Sequence, residues 1–468
     1  MTHRLAVSPN ITEGNIPRAL LSFFLPIMLG TFFQQLYNTS DAIIVGKFLG
    51  KQALAAVGGG SGVLINILLG FFVGLAGGAS ILISQQFGAG HKEKVGKSTH
   101  TAVAIAIICG LIITVVGIEF SAPALSLIDT PKDLFVPTQT YLSIFFIGSL
   151  PLSLYNMGAG ILRAIGDSRR PFYVLLVGTI VNIVLDFIFI GVLQLGIAGA
   201  AWATVLSETI SCIILFVILT KSKECYQVEI RKIRLYKESF APMLALGIPT
   251  GIQSSLYTIS NIIIQAFINR LDTETIAAWA AYGKLDSFFW MTISALGIAT
   301  TTFAGQNYGA GKIDRVRQGT KVSLLFAIVA TFAIGIPYYI FSPQLIGLFI
   351  NAPSVIDAGV QIMRFLVPTY ITYIAIEILS GTIRGCGKTV PPTLITVFGI
   401  CILRIIYLFA FVPQEGSILD IILSYPFTWT ITTIIFIIYY KKGRWMRVIP
   451  PKTQKPPQKK FGKPRLSA

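Results

Sequence analysis

The sequence predicts an all-α integral membrane protein in which twelve transmembrane helices form two pseudo-symmetric lobes of six helices each. Three observations lead to this prediction: apolar runs of membrane-spanning length recur, basic residues collect on one set of loops, and motifs of the first half return in the second. Only 12% of the 468 residues are charged and 54% are hydrophobic. A soluble globular domain carries about 25% charged residues, so this composition excludes an ordinary soluble protein.

The apolar runs have the length that a helix needs to cross a bilayer, about 20 residues. They fall near residues 19–46, 54–86, 100–120, 134–162, 172–193, 197–219, 240–268, 276–304, 320–341, 359–383, 393–412 and 417–440. The first sixteen residues are polar, and the run that follows is longer than the apolar core of a signal peptide. No cleavable signal is therefore predicted.

The distribution of basic residues predicts the orientation of the chain. With twelve spans, both termini lie on one side of the membrane. The loops on that side and the two termini hold most of the 37 Lys and Arg residues, whereas the opposite loops hold only Lys47, Lys51, Lys132 and Arg270. Basic residues are retained in the cytoplasm, so we expect a multi-pass protein of the cell membrane with both termini cytoplasmic. The net charge of +17 is then a topology signal, and nucleic-acid binding is not expected.

The two halves of the chain share motifs at a constant distance. SQQFGAGHKEKV (84–95) returns as GQNYGAGKIDRV (305–316), and GILRAIGDSRRP (160–171) returns as GTIRGCGKTVPP (381–392), both 221 residues later. LYNTSDAIIV (36–45) aligns with LYTISNIIIQ (256–265) at a shift of 220. Because the repeat unit has an even number of spans, both copies have the same orientation and are related by an axis along the membrane normal.

The repeat divides the chain into five segments. The predicted segments are a polar N-terminus (1–16), an amino-terminal lobe (17–220), a basic cytoplasmic linker (221–238), a carboxy-terminal lobe (239–440) and a basic, disordered tail (441–468). Within the second span, Gly70, Gly74 and the Gly77–Gly78 pair indicate close packing against a neighbouring helix.

The motifs resemble the multidrug and toxic compound extrusion (MATE) family over residues 16–440. The resemblance rests on FLPIMLGTFFQQLYNTSDAIIVGKFLG in the first span, on QQFGAG and QNYGAG after the second and eighth, and on LRAIGD and IRGCGK after the fourth and tenth. It implies two lobes that form a V. It also implies an antiporter that exports amphipathic, mostly cationic organic compounds in exchange for Na⁺ or H⁺, with no other cofactor.

The resemblance also implies a cation-coupling site in the first lobe. Family members with an acidic amino-terminal lobe use a set of residues that stand in this chain as Tyr37, Asp41, Asn156, Asn182, Asp186 and Thr204. For Na⁺, the implied ligands are Asp41, Asn182, Asp186 and Thr204. Other members carry a glutamate on the seventh helix and an aspartate on the tenth. This chain departs from that pattern, because 240–268 contains no acid and the tenth span offers only Glu377.

Asp41 and Asp186 also indicate function on physical grounds. A charged carboxylate at bilayer depth costs roughly 2.5–3.5 kcal/mol, so each needs a role or a partner. Tyr37 and Asn182 lie one helical turn before Asp41 and Asp186, on the same helix faces. Such a pair is neutralised by a proton or bridged by Na⁺. For Asn156 and Thr204 taken singly, hydrogen bonding between helices is the alternative interpretation.

Further polar residues within the spans are candidates for a substrate cavity. They are Gln34, Asn38, Tyr257, Asn261, Lys284, Asp286, Glu377, Arg404 and Tyr407. Glu377 is the best candidate for recognising a cationic substrate. Lys284 and Asp286 are two residues apart, do not face each other, and serve either in structural ion pairs or in substrate contacts. We expect a monomer in the lipid bilayer whose partners are small organic cations and the coupling cation.

Enzyme classes find no support in the sequence. GHKEKVGKST (90–99) has five residues between Gly90 and Gly96, where a phosphate-binding loop needs four, and the five cysteines show no metal or disulfide spacing. The competing function is a flippase for a lipid-linked saccharide precursor. An acidic first lobe and twelve spans argue against a flippase, whereas Arg404 and Lys284 keep it open.

Overall fold

The computed structural model describes residues 11–446, apart from 59, 128–129, 414–415 and 444. Within these residues the regular structure is helical, with no strand. The predicted disordered tail (441–468) lies outside the described residues from position 447 onward, and so do the first ten residues of the predicted polar N-terminus.

The N-terminal half contains seven helices that make six spans. They are α1 (Ile16–Gly58), α2 (Gly60–Gly88), α3 (Lys92–Leu127), α4 (Lys132–Ile147), α5 (Ser149–Ala164), α6 (Arg169–Asp186) and α7 (Gly196–Lys221). α1 changes direction at Gly50, whose φ of 82° is in the left-handed region that glycine adopts without strain. α4 and α5 meet at a 50° bend and form one span. A π-helical turn, Phe187–Val192, directly follows Asp186.

The C-terminal half repeats this plan with more interruptions. Its helices are α8 (Lys237–Ile268), α9 (Thr273–Gly309), α10 (Ile313–Ile340), α11 (Ser342–Gly347), α12 (Pro353–Leu366), α13 (Ile374–Gly385), α14 (Val390–Thr396), α15 (Leu403–Phe411), α16 (Ile418–Ile422) and α17 (Ser424–Lys442). A 3₁₀ segment, Val367–Thr372, joins α12 to α13. A π-helical segment, Val397–Ile402, joins α14 to α15.

The bundle has the dimensions of a multi-pass membrane protein. Among the described residues, ten helical segments are long and apolar enough to span a bilayer, and the bent α4–α5 pair makes an eleventh. α8, with 32 residues, is long enough to make a twelfth span. Polar residues such as Gln253, Ser254 and Asn261, which line an internal cavity, lower its hydropathy. Val115, Phe120 and Phe409 are more than 60% exposed, as lipid-facing side chains would be. The predicted fold class is confirmed.

Two repeat-related glutamines join the halves at the end of the bundle that carries the linker (residues 222–236), which we call the linker end. The side-chain amide of Gln85 donates to the backbone oxygen of Gly385 across 2.7 Å. The amide of Gln306 donates to the backbone oxygen of Ala164, also across 2.7 Å. Gln306 follows Gln85, and Gly385 follows Ala164, by the same 221 residues. Each half therefore makes the same bond to the other.

Backbone contacts beside this glutamine pair also obey the repeat. A Cβ atom at Gly88 would overlap the backbone oxygen of Gln306, and one at Gly309 would overlap that of Gln85. Nearer the middle of the bundle, Gly74 and Gly78 of α2 lie directly on the α8 backbone at Gly251 and Gly247. These contacts close the linker end between the two halves. The close packing predicted from the sequence is confirmed at Gly74 and Gly78, and at Gly70, which lies against Ser254. The prediction is wrong at Gly77, where an added Cβ atom would meet nothing within 4 Å, because this glycine lines an internal cavity.

The start of α1 crosses to the other half of the molecule. Arg315, at the linker end of α10, donates to the backbone oxygens of Ile11, Glu13 and Gly14. Asn307 also donates to Ile11. Phe23, Phe24 and Ile27 of α1 are buried in the core of the C-terminal half. Since α1 continues from there into the N-terminal half, it is a continuous helical connection between the two.

Candidate functional site

Five of the six predicted cation-coupling residues, all except Asn156, lie on α1, α6 and α7 and meet at the interface of these helices. Asp41 lies on α1, Asn182 and Asp186 lie one turn apart on α6, and all three side chains are buried, with exposures of 8%, 0% and 0%. The carboxyl groups of Asp41 and Asp186 lie close enough to influence each other electrostatically. The structure therefore brings together the two acids that the sequence singled out from different spans.

The polar atoms of this site lack partners. Asp41 Oδ1, both carboxyl oxygens of Asp186 and both side-chain polar atoms of Asn182 are buried without a hydrogen bond from the described residues. A buried polar atom without a partner is costly, and two facing carboxylates also repel each other. An additional positive charge, either a shared proton or a bound cation, would satisfy the oxygens and remove the repulsion.

Thr204 and Tyr37 border the pair. The Tyr37 hydroxyl donates to Thr204 Oγ1 across 3.2 Å, which ties α1 to α7 beside the acids. Tyr141 of α4 also approaches: its hydroxyl is within reach of Thr204 and close to both acids. The sequence reasoning missed Tyr141, because tyrosines are common in membrane helices and nothing in the local sequence distinguishes this one.

Asn156 and Glu208 lie at the edge of the site. The Asn156 amide donates to the Leu152 backbone oxygen of its own helix, and no described hydrogen bond joins it to the acids. Glu208 lies one turn beyond Thr204 on α7 and near Tyr37 and Tyr155. It was also missed, although an acid within the apolar run 197–219 is a signal that could have identified it.

A cavity of about 830 Å³ lies in the C-terminal half and is bounded on one side by α2. Five of the predicted substrate-cavity residues line it. Those on its surface are Tyr257, Asn261, Asp286, Glu377 and Arg404, with Trp279, Trp290, Tyr373, Tyr425 and Trp429 as aromatic walls and Arg163 and Arg384 at the linker end. Ring pairs such as Trp290–Tyr373 and Trp290–Trp429 meet edge to face. The cavity thus has the size and apolar lining typical of small-molecule sites.

The two acids of the cavity differ in how they are held. Asp286 accepts hydrogen bonds from Tyr370 (2.6 Å), Tyr282 (3.1 Å) and Trp290 (2.7 Å). Three donors from three aromatic side chains fix this carboxyl group in place. Among the described residues, the Glu377 carboxyl group accepts only from Tyr373, across 3.2 Å, so it retains more capacity to bind a ligand.

Arg404 is the third charged group of the cavity wall. Its side chain is only 1% exposed, its guanidinium donates to Thr428 across 3.2 Å, and its central carbon lies 4.1 Å from the centre of the Tyr425 ring. None of the ion pairs within the described part of the chain includes Arg404.

Four candidates do not line this cavity. Gln34 and Asn38 on α1 and Lys284 on α9 are exposed. Tyr407 instead packs its ring against Phe411 and Phe427. Within the described residues there is no cluster of three or more His, Cys, Asp or Glu side chains of the kind that binds a transition metal. The candidate site therefore consists of an acidic pair in one half and a large aromatic cavity in the other.

Two pseudo-symmetric helical halves, closed at one end around buried carboxyl groups and a small-molecule cavity, define a membrane transport protein. Comparison with known proteins identifies the same class of protein. The MatE family matches residues 26–188 and 249–410, once in each half. The chain belongs to the MatE family, whose members are transporters and not enzymes. The family predicted from the motifs is confirmed.

Relatives and solved structures cover nearly the whole chain. It is 29% identical over 445 residues to the probable multidrug resistance protein YoeA of Bacillus subtilis, covering 93% of this chain and 96% of that protein. It is 30% identical over 442 residues to YpnP of the same organism, described in the same words, with coverages of 93% and 97%. A MATE family transporter solved in an outward-facing conformation superposes with a TM-score of 0.86 at 21% identity, covering 94% of this chain and 98% of that one. This last likeness concerns the fold.

Proposed function

We propose that the protein is a secondary antiporter that exports amphipathic, mostly cationic organic compounds in exchange for Na⁺ or H⁺. The observation that carries the proposal is the buried pair of Asp41 and Asp186, in which Asp41 Oδ1 and both Asp186 oxygens lack hydrogen-bond donors beside the equally unpaired Asn182. The names of the two Bacillus subtilis relatives, both probable multidrug resistance proteins, support the class of substrate.

The acidic pair would bind the coupling cation. When the pair is empty, two negative charges face each other at membrane depth, which is unfavourable. A shared proton removes one charge. For Na⁺, the carboxyl oxygens, Asn182 Oδ1 and Thr204 Oγ1 provide the oxygen ligands that hard cations prefer. Movement of one charge down the membrane potential supplies about 2.3 kcal/mol per 100 mV.

α1 would transmit cation binding to the substrate-binding half. Asp41 lies on this helix, and the start of the same helix is buried in the core of the C-terminal half. A cation that draws Asp41 and Asp186 together shifts α1 relative to α6, and the start of α1 moves with the C-terminal half. Coupling requires that the cation favour one arrangement of the halves over the other, and this shared helix provides a physical route.

Purified protein in liposomes tests the proposal. Ethidium uptake or release is followed by fluorescence under an imposed Na⁺ gradient and, separately, under a pH gradient. We expect transport to respond to one gradient, and Asp41→Asn and Asp186→Asn each to reduce it to the level of protein-free liposomes. Asp357→Asn makes the same chemical change at an exposed residue of α12 and is expected to transport normally.

The same assay distinguishes the competing function. If the wild-type protein moves ethidium with neither gradient having an effect, or if the two aspartate variants transport at the wild-type rate, cation exchange at this site is wrong. Movement of a lipid-linked saccharide between leaflets without a gradient would then identify a flippase.

A further inference from the structure

The fourth and tenth spans are interrupted at equivalent positions of the repeat. α4 and α5 bend by 50° at Gly148. The residue 221 positions later is Thr369, which lies inside the 3₁₀ segment Val367–Thr372 between α12 and α13. A 3₁₀ stretch inside a longer helix often marks a hinge. Each half therefore has a break at the same place in its fourth span.

The break of the tenth span is fastened to α9 by Asp286. Tyr370, in the 3₁₀ segment, is fully buried and donates to the Asp286 carboxyl group across 2.6 Å. Its ring stacks on the Phe289 ring, with centroids 3.9 Å apart. Tyr282 and Trp290 of α9 donate to the same carboxyl group. A buried polar network with all its bonds made rigidifies the structure around it, so this one holds the break against α9.

The same network reaches Glu377. The Trp290 ring meets the Tyr373 ring edge to face, with centroids 4.6 Å apart, and the Tyr373 hydroxyl donates to Glu377 Oε2 across 3.2 Å. On its other side Glu377 lies in a notch of α9, because a Cβ atom at Gly297 would overlap Glu377 Oε1. Asp286, Trp290 and Gly297 share one face of α9. The position of Glu377 therefore depends on how the tenth span is seated on this face.

The first half does not repeat this network. The counterparts of Asp286, Trp290, Gly297, Tyr370 and Tyr373, each 221 positions earlier, are Ile65, Leu69, Ala76, Ser149 and Leu152. Four of these five counterparts are apolar, so the acid and its aromatic donors belong to the second half alone. A polar network that only one repeat contains indicates a task that only this half performs.

We propose that Asp286 is a positioning residue for substrate binding. By fastening the break of the tenth span to α9, it holds Glu377 in the orientation that receives the positive group of the substrate. Asp286 does not bind the substrate itself, because three donors of its own chain occupy its two oxygens. The proposal deepens the proposed function and rests on it, since it takes the substrates to be organic cations.

Hydrogen–deuterium exchange tests the first step, the fastening of the break. Tyr370→Phe removes the hydroxyl donor and keeps the ring that stacks on Phe289. Exchange of the backbone amides of residues 367–373, followed by peptide mass spectrometry in detergent, should rise about tenfold, because a hydrogen bond to a carboxylate contributes more than one between neutral groups. Exchange at the bend of the first half, around Gly148, should not change.

Tyr338→Phe is the matched control. The Tyr338 hydroxyl donates across 2.9 Å to the backbone oxygen of Leu285, next to Asp286 on α9, so this variant removes the same group from the same neighbourhood. It leaves the bonds of the Asp286 carboxyl group in place and should not raise exchange in residues 367–373. Asp286→Asn should raise exchange there at least as much as Tyr370→Phe. If Asp286→Asn cannot be purified as a monodisperse protein, Tyr370→Phe decides.

Ethidium binding tests the second step, from the break to Glu377. The dissociation constant for purified protein in detergent is measured by fluorescence polarisation, without any ion gradient. Tyr370→Phe should weaken binding about fivefold, and Glu377→Gln should weaken it as well. The double variant should bind no more weakly than Glu377→Gln alone, because the two residues act through one contact. A purely structural role of Tyr370 would not produce this non-additivity, and Tyr338→Phe should bind as the wild-type protein does.

Four results would overturn the inference: unchanged exchange in Tyr370→Phe, an equal rise in Tyr338→Phe, unchanged ethidium binding in Glu377→Gln, or additive effects in the double variant. Failure here is distinguishable from failure of the antiport proposal. Gradient-driven ethidium transport together with additive binding effects would leave antiport standing and refute the positioning role. Faster exchange and non-additive binding, in a protein that responds to neither gradient, would do the reverse.

Discussion

At the linker end, Gln85 and Gln306 make the same bond to the opposite half, and Gly88 and Gly309 make the same backbone contact. In the middle of the bundle the repeat brings different residues to equivalent places: Asp186 has Tyr407 as its counterpart 221 residues later. The two halves close against each other through the same residues at this end. In the proposed function the first half binds the coupling ion and the second binds the substrate, and these different tasks would explain why the middle of each half differs.

The largest loss of transport is expected from a substitution at the position where the two halves differ most. Asp186→Asn should abolish cation-driven ethidium transport in liposomes, because an amide cannot share a proton or supply a charged ligand to Na⁺. Tyr407→Asn changes the counterpart, which packs against Phe411 and Phe427, and should leave transport coupled to the gradient. Equal loss in the two variants would show that the middle of the bundle is functionally symmetric after all.

At the linker end, by contrast, equivalent substitutions in the two halves are expected to increase opening equally. Gln85→Ala and Gln306→Ala each remove one bond, worth about 1 kcal/mol, and should each raise the open population of this end about fivefold. Cys386, 3% exposed and adjacent to the Gly385 acceptor, reports the opening. Its rate of maleimide labelling, followed by peptide mass spectrometry, should rise similarly in both variants.

Gln253→Ala, a cavity residue of α8 outside the glutamine pair, controls for the loss of an amide and should not change the labelling of Cys386. A rise in only one of the two glutamine variants would contradict the symmetric closure.

A smaller difference between the two halves is expected for substitutions at a tyrosine that occurs at the same position of each repeat. Tyr37 donates to Thr204 beside the acids, whereas Tyr257, its counterpart at a shift of 220, lines the cavity. Tyr37→Phe should weaken the apparent affinity for the coupling cation a few-fold, since it loses one hydrogen bond, and Tyr257→Phe should change only dye affinity. Transport rates across a series of Na⁺ or H⁺ concentrations measure the first, and binding of ethidium the second. The opposite assignment of effects would show that the two tyrosines have exchanged roles.

The smallest effect, a change in stability, is expected at the end of the bundle opposite the linker. Asp272 caps α9 by accepting from the backbone N–H and hydroxyl of Thr275. These hydrogen bonds hold the pKa of Asp272 below its usual value of 3.8. The stability that the ionised cap contributes is therefore present above that value and is lost as the pH falls through the lower pKa of the folded protein.

Asp272→Ala should lower the free energy of unfolding by about 0.5 kcal/mol at pH 7, and the deficit should shrink below the usual pKa of Asp272. Thermal unfolding in detergent, at pH 7 and at a pH below 3.8, measures this deficit. A deficit that grows in acid would refute the cap as its origin.

Much of this architecture can be predicted from the local sequence. The apolar runs give the spans, the 221-residue repeat gives the two halves, and the spacing of Asn182 and Asp186 places both on one helix face. Packing between segments that are distant in the sequence is not encoded locally, so the sequence does not predict these contacts. Nothing near Tyr141 shows that it reaches Thr204, and the apolar start of α1 does not show which half it packs against.

Arg404 illustrates the same limit for charge. A lone arginine in an apolar run predicts a partner, but only the folded positions of Asp286, Glu377 and Thr428 show that neither acid forms an ion pair with it. The motifs QQFGAG and QNYGAG likewise identified the family without revealing that their first glutamines bind the other half.

Both glutamines at the linker end donate to a backbone oxygen, that of Gly385 in one half and that of Ala164 in the other. A carbonyl oxygen is present whichever small residue occupies the acceptor position. The acceptor can therefore change from alanine to glycine between the repeats without loss of the bond, and only the donor must stay the same. After a gene duplication, such a contact survives the separate drift of its two copies better than a bond between two side chains, which would need both partners to change together.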